Sequence, residues 1–106
     1  MDILEIKQKA IKLRHSLKKH NIRASLILLF GSHAKGTANQ QSDIDLAVVS
    51  ADLGLNRLEE GALLNRLASR IDHRIEVVPI PMKRYFEKET TSPIIDQIIK
   101  TGIVIL

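Results

Sequence analysis

The chain has 106 residues, of which 44% are hydrophobic and only 3% are aromatic. This length fits one domain with an aliphatic core, and the absence of cysteine excludes disulfide bridges, thiolate metal sites and cysteine nucleophiles. Sixteen Lys and Arg residues against twelve Asp and Glu residues give a net charge of +4.

The first predicted element is an amphipathic helix, in which apolar residues recur at intervals of three and four. Asn21 stands where this helix should end. The positions expected to face the core are Ile3, Ile6, Ala10, Leu13 and Leu17.

Much of the positive charge lies on the second half of this helix and in the loop after it. The cations are Lys12, Arg14, Lys18, Lys19 and Arg23, with His15 and His20 between them. One interpretation is a surface for nucleic acid or an acidic protein, and the other is the solvated face of a helix. No aromatic residue interleaves with these cations to stack on bases, so the sequence favours the solvated face and disfavours direct nucleic-acid binding.

Three apolar segments predict the strands of a sheet. Leu26 to Phe30 is the longest apolar run, typical of a buried strand and far short of the about 20 residues that span a membrane. Ile44 to Ser50 is the second strand, and Arg74 to Ile80 is the third, ended by the Pro79/Pro81 pair. With no membrane segment and no cysteine, we expect a cytoplasmic protein.

Two further helices are predicted in the second half of the chain. The first runs from about Asn56 to Arg70 and buries a stripe made by Gly61, Leu64, Leu67, Ala68 and Ile71. The second has Ser92 as N-cap, Pro93 at its first position and Gly102 at its end, with an apolar face of Ile94, Ile95, Ile98 and Ile99. A short strand over 103–106 completes an α/β (α+β) domain with a small mixed sheet flanked by helices.

Three carboxylates carry the predicted chemistry. Asp43 and Asp45 are two residues apart at the start of a strand, so their side chains share one face. Their mutual repulsion is relieved by a divalent cation, and ligands that are all oxygen favour Mg²⁺. If Glu76 lies on the neighbouring strand, three carboxylates can hold two metal ions roughly 3.5–4 Å apart, the arrangement used for displacement at phosphorus. The other interpretation of Glu76 is an exposed residue paired with Arg74.

The segment from Gly31 to Gln41 is polar and is predicted to be mostly loop with a short helical turn. Gly31 and Ser32 follow a buried strand directly, where exposed backbone N–H groups bind phosphate oxygens. Lys35 adds a positive charge for the phosphates, and Gly36 serves the turn. His33 lies inside this stretch, either as a substrate contact or as a surface residue. One interpretation of Tyr85 and Phe86 is packing against a base, but because aromatic residues are so scarce we expect the pair to cover the core.

Gly31-Ser32, ten intervening residues and Asp43-Ile44-Asp45 resemble the signature of the DNA polymerase β-like nucleotidyltransferase superfamily. The stretch GSHAKGTANQQSDIDLAVV is similar to its minimal members, the MNT domains of prokaryotes, in which Gly-Ser-x-Ala-Arg-Gly and Ser-Asp-x-Asp-Leu are usual. The carboxylate in RIEVVPI and the closing GIVI are similar too. The resemblance implies that residues 1–106 form a single minimal nucleotidyltransferase domain with the polymerase β-like fold.

The resemblance also implies roles for the site residues. Gly31 and Ser32 would bind the triphosphate, Asp43 and Asp45 would ligate two Mg²⁺ ions (Mn²⁺ being the alternative), and Glu76 would complete one metal site and help activate the acceptor hydroxyl. The hydroxyl would attack the α-phosphate and release pyrophosphate. Lys35 departs from the usual arginine, and Glu76 from the usual aspartate.

A partner is implied in the same way. MNT proteins resembling this chain pair with an all-helical HEPN ribonuclease toxin and act as the antitoxin by transferring AMP from ATP to a tyrosine of the toxin. Two alternatives remain: an antitoxin that occludes its HEPN partner without catalysis, and a small-molecule (antibiotic) adenylyltransferase subunit. The sequence leaves open the nucleotide base, the acceptor and whether the chain forms a homo-oligomer.

Overall fold

The computed structural model describes residues 2–87 and 92–106, which form a mixed four-stranded sheet with helices on both faces. The elements in chain order are α1 (Ile3–Lys18), β1 (Leu26–Phe30), α2 (Gly31–Lys35), β2 (Ile44–Ser50), α3 (Arg57–Ser69), β3 (Ile75–Pro81), α4 (Met82–Phe86), α5 (Pro93–Thr101) and β4 (Ile103–Val104). β1 is antiparallel to β2 and β4, whereas β2 and β3 are parallel, and the strand order is β3-β2-β1-β4. The predicted α/β fold with a mixed sheet is confirmed. None of the described helices is long and apolar enough to cross a membrane.

One face of the sheet is covered by α1 and α3. Asp2 caps α1 by accepting a hydrogen bond from the Glu5 N–H at 2.9 Å, and Asn21 adopts a positive φ of 62° just after the helix ends. The prediction for this helix is confirmed except at Ile3, which is 55% exposed because burial begins one turn later, at Ile6. The buried residues that α1 and α3 contribute are Ile6, Ala10, Leu13, Leu17, Leu64, Leu67 and Ala68.

The other face is covered by α4 and α5. As predicted, α5 begins with the Ser92 cap, and its main buried residues are Ile95 and Ile98. Ile94, expected in the core, is 71% exposed because it lies at one flank of the first turn. As predicted, the helix ends at Gly102. A Cβ at this position would lie 2.6 Å from the Ile98 carbonyl oxygen, so a larger residue would force a shift.

The end of β3 lies one residue beyond the predicted Ile80. The strand continues through Pro79 and ends at Pro81, the second residue of the proline pair that was predicted to end it. Among residues 2–87 and 92–106, β3 pairs only with β2 and is therefore an edge strand, where a missing N–H costs no ladder bond on the outer side. The short helix α4 follows at once, and it was not predicted because five residues show no apolar period. Tyr85 packs on the core, whereas Phe86 is 70% exposed, so the expectation for this pair was right only for Tyr85.

Asn65 fastens α3 to the outer edge of β3. Its side-chain amide donates a hydrogen bond to the Val77 carbonyl at 2.9 Å and accepts one from the Val77 N–H at 2.8 Å. Both backbone groups point away from β2, so none of the four strands in the described part of the chain satisfies them. The Asn65 side chain thus takes the place of a neighbouring strand beside Glu76.

We expect Asn65→Ala to lower the free energy of unfolding by about 1–3 kcal/mol, because it leaves the Val77 backbone groups without partners at a partly buried edge. Urea denaturation at neutral pH measures the change. Arg66→Ala, at the exposed neighbouring position of α3, is the control and should change stability by no more than about 0.5 kcal/mol. Equal losses in the two variants would contradict the role assigned to Asn65.

Candidate functional site

The strand register brings the predicted acidic residues together at one end of the sheet. Asp45 is the direct neighbour of Glu76 in the parallel pair β2–β3 and of Phe30 in the antiparallel pair β1–β2. Neighbouring strands lie about 4.8 Å apart, and paired residues point to the same face. Asp43 precedes Asp45 by two residues and extends the same row. The prediction of a three-carboxylate cluster required Glu76 to lie on a strand next to the aspartate pair, and the β2–β3 pairing places it there.

The electrostatics of this cluster centre on Asp45. Its side chain is half-buried, whereas Asp43 and Glu76 are exposed. Burial raises the pKa of the Asp45 carboxyl, the negative charges of Glu76 and Asp43 raise it further, and His33 lowers it. A half-buried carboxylate held against two others is a site where a divalent cation relieves the repulsion.

Gly31 shapes the site by its lack of a side chain. Its φ is +72°, in the left-handed region that favours glycine. A Cβ at this position would overlap the carboxylate of Asp45. The Asp45 carboxylate therefore lies against the Gly31 backbone, in space that the Cβ of any other residue would occupy.

The short helix α2 starts directly at Gly31, so its first N–H groups lie beside the carboxylates. Within the described residues, no side chain caps this first turn, whereas α1, α3 and α5 are capped by Asp2, Asn56 and Ser92. Uncapped N–H groups at a helix start are donors for phosphate oxygens. The predicted helical turn is confirmed, and Gly36, at a φ of +75°, ends it.

Three more residues of α2 were singled out from the sequence. Ser32 is half-buried in its first turn, and Lys35 is exposed at its last position. His33 is half-buried, and its Nε2 atom is buried without a hydrogen-bond partner among the described residues. His33 is therefore not an exposed loop residue, because its ring packs into the protein close enough to Asp45 to affect that carboxyl.

A hydrogen-bond network holds the loop that precedes Asp43. Arg74 donates to the Asp72 carboxylate through Nε at 3.1 Å and Nη2 at 2.8 Å, and through Nη1 to the Gln40 carbonyl at 2.7 Å. Lys9 of α1 contacts the same carboxylate at 3.2 Å. Arg74 thus pairs with Asp72, and the alternative in which Arg74 pairs with Glu76 is wrong. Glu76 is left to the acidic cluster.

We predict that the contribution of Asp72 to stability depends on pH. Hydrogen bonds from the Arg74 side chain, chiefly, hold the pKa of the Asp72 carboxyl well below its usual range. The charged form is therefore favoured by folding, and its contribution is present above the unfolded pKa of about 3.9 and lost as the pH falls below it. Asp72→Asn should cost about 2 kcal/mol at pH 7 and less at pH 3, measured by urea denaturation. An equal cost at both pH values would contradict the ionic role.

The oxygen donors suit a hard divalent cation. Within residues 2–87 and 92–106, no three acidic or histidine side chains lie close enough together to hold a metal ion by themselves. Mg²⁺ usually takes one or two carboxylates and fills its other positions with water and substrate phosphates. Asp43, Asp45 and Glu76 beside uncapped N–H groups therefore fit a cation that binds together with a phosphate compound.

Comparison with known families matches residues 9–106 to the family described as "Polymerase beta, Nucleotidyltransferase". The chain is 39% identical over 72 residues to a protein adenylyltransferase of Shewanella oneidensis, an alignment that covers 68% of this chain and 49% of the relative. It is 34% identical over 83 residues to a putative protein adenylyltransferase of Methanocaldococcus jannaschii, covering 76% of this chain and 56% of the relative. The chain thus spans about half the length of these curated relatives.

Comparison with solved structures finds a toxin–antitoxin complex crystallised with AMP-PNP. The TM-score is 0.60 at 30% sequence identity, and the match covers 94% of this chain and 72% of the other. The match therefore takes in nearly the whole of this chain.

Proposed function

Because this chain belongs to the polymerase beta nucleotidyltransferase family, we propose that it transfers AMP from ATP to a hydroxyl group of a partner protein. The observation that carries the proposal is the register that sets Asp45 beside Glu76, with Gly31 against the Asp45 carboxylate. The names of the two adenylyltransferase relatives support a protein as the acceptor. The complex with AMP-PNP supports an adenine nucleotide as the donor.

The first task of the site is to hold the triphosphate. The N–H groups at the start of α2 and the hydroxyl of Ser32 donate hydrogen bonds to phosphate oxygens. Lys35, exposed at the end of the same helix, adds a positive charge without the two-pronged geometry of an arginine. These groups orient the α-phosphate toward the row of carboxylates.

The second task is to bring the acceptor hydroxyl to the α-phosphorus. Asp43, Asp45 and Glu76 would hold two Mg²⁺ ions. When bound, these ions would neutralise the phosphate charge and polarise the phosphoryl oxygens. Glu76 accepts the hydroxyl proton, a bond forms between the acceptor oxygen and the α-phosphorus, and the bond to the bridging oxygen breaks to release pyrophosphate.

The partner we propose is a toxin of the helical HEPN ribonuclease type, with this chain as its antitoxin. The likeness to a toxin–antitoxin complex supports this assignment. Asp43 and Glu76 are exposed, so the acidic row is accessible to a hydroxyl on the surface of another protein. Adenylylation of that hydroxyl would then inactivate the toxin.

The proposal is tested with ATP labelled at the α-phosphate, Mg²⁺ and a lysate of the host cell. We expect label in one protein band with the wild-type chain and none with Asp43→Asn/Asp45→Asn. Glu59→Gln, an exposed carboxylate change in the first turn of α3, should leave the band unchanged. Label confined to a small molecule would contradict a protein acceptor, and no label from any of the four nucleoside triphosphates would contradict catalysis.

A further inference from the structure

A cleft of about 320 Å³ lies beside the second half of α1, away from the acidic cluster. Its volume is in the range that proteins use to bind ligands, roughly 300–1,000 Å³. A shallower hollow bounded by His15, Lys18 and Lys19 shares residues with it. The residues that line the cleft are Arg14, His15, Lys18, Ile22, Arg23 and Ala24. We refer to this as the basic cleft.

The positive charge of the basic cleft is not balanced within the described residues. Across residues 2–87 and 92–106, the cations that form ion pairs are Lys9, Arg74, Lys83 and Arg84, none of which lines the cleft. Asp52 accepts a hydrogen bond from the Arg23 backbone N–H at 2.9 Å, but it forms no ion pair with the guanidinium. Arg14, Lys18 and Arg23 therefore offer their charges to an external anion.

The basic cleft is separate from the acidic cluster. Arg23 and Ala24 precede β1, whose first residue, Leu26, pairs with Val49. The acidic cluster is at the other end of β1, four residues or about 13 Å further along the strand. In addition, α1 covers the opposite face of the sheet from Asp45. An occupant of the cleft thus does not compete with nucleotide.

We propose that the basic cleft docks an acidic segment of a partner protein, with a Glu or Asp side chain reaching between Arg14, Lys18 and Arg23. The guanidinium groups match a carboxylate with paired hydrogen bonds. Ile22 is buried and Ala24 is half-buried, and both present an apolar floor for the methylene groups of such a side chain. Among the described residues, no Phe, Tyr or Trp lines the cleft, so the large aromatic side chains on which unpaired bases usually stack are missing there.

This inference revises the interpretation of the basic stretch as a solvated helix face. The sequence showed the cations of α1. It did not show that Arg23, in the loop after the helix, lines the same cleft as Arg14 and Lys18. The docking function is independent of the proposed AMP transfer, because a chain without catalytic activity would keep the cleft.

The test is fluorescence anisotropy with a short fluorescein-labelled peptide of alternating Glu and Ala, at low ionic strength. We expect the wild-type chain to bind the peptide and Arg14→Glu/Lys18→Glu to bind it at least about tenfold more weakly. Lys12→Glu/Lys100→Glu makes the same change in net charge at exposed positions outside the cleft, and it should weaken binding by no more than about twofold. If charge reversal disturbs the fold, Arg14→Gln/Lys18→Gln replaces Arg14→Glu/Lys18→Glu as the test variant, and it should also bind the peptide more weakly than the wild type.

Three results would overturn the proposal. One is no binding of the peptide by the wild-type chain, and another is an equal loss in the variants inside and outside the cleft. The third is tighter binding of a single-stranded RNA of equal charge with the same dependence on Arg14 and Lys18, which would assign the cleft to nucleic acid. Asp45→Asn should bind the peptide as the wild type does, so failure of AMP transfer and failure of docking are told apart.

Discussion

Asp45→Asn is expected to reduce AMP transfer by roughly 10³-fold while leaving the protein folded. Asp45 lies between Phe30 and Glu76 in the sheet and is the most buried of the three carboxylates. The amide has nearly the same shape but loses the charge that would hold a cation against the triphosphate. Single-turnover transfer of labelled AMP measures the loss.

The same substitution should stabilise the protein when no metal is present. The pKa of Asp45 is raised in the folded state, by burial first and then by Glu76 and Asp43. Folding therefore disfavours the charged form, and wild-type stability falls as the pH rises through this raised pKa. Since the side chain is partly exposed and screened by solvent, we expect Asp45→Asn to gain on the order of 0.5 kcal/mol at pH 7 and to lose this advantage near pH 3. A less stable variant at pH 7 would show that the carboxylate is structural.

Gly31→Ala is expected to reduce transfer by at least about 10²-fold and to lower the free energy of unfolding by about 1–2 kcal/mol. Two causes add. The φ of +72° disfavours alanine, and the new methyl group overlaps the Asp45 carboxylate. Asp45 or the start of α2 must then shift, so the metal ligands and the phosphate donors lose their relative position.

Gly36→Ala separates these two causes. Gly36 has a nearly identical φ of +75°, but a Cβ there would meet no atom of the described residues within 4 Å. It should cost a comparable amount of stability while retaining most of the transfer activity. If Gly31→Ala and Gly36→Ala lost activity equally, backbone strain alone would explain both, and the close approach of Gly31 to Asp45 would have no special role.

The acidic cluster could be predicted because its determinants are local. β1 and β2 have the predicted bounds, since uninterrupted apolar runs with polar ends specify buried strands. Asp43 and Asp45 share a face through strand alternation alone. The position of Glu76 depends on one further condition, which is that β2 pairs with β3. Two strands joined through a helix usually pair in parallel, so this condition could also be expected.

The features that escaped prediction depend on contacts distant in sequence. In the sequence, Asn65 is indistinguishable from any polar helix residue, and only the fold shows that it bonds to β3. Likewise, the sequence allows Arg74 to pair with Glu76, whereas in the fold its guanidinium contacts Asp72 and the Gln40 carbonyl. The buried Nε2 of His33 depends on how α2 packs, which periodicity does not report. Asn65 and Arg74 thus support the carboxylate row from outside the motif, whereas His33 lies within the motif and lowers the pKa of Asp45.

The most direct measurement is the binding of a non-hydrolysable ATP analogue with and without Mg²⁺, by isothermal titration calorimetry, to the wild-type chain and to Asp45→Asn. If the carboxylate row holds a metal with the triphosphate, Mg²⁺ should tighten binding to the wild type at least about tenfold and leave the variant unchanged. Equal tightening in both proteins would mean that Mg²⁺ acts on the nucleotide alone, and it would contradict a metal site at Asp45.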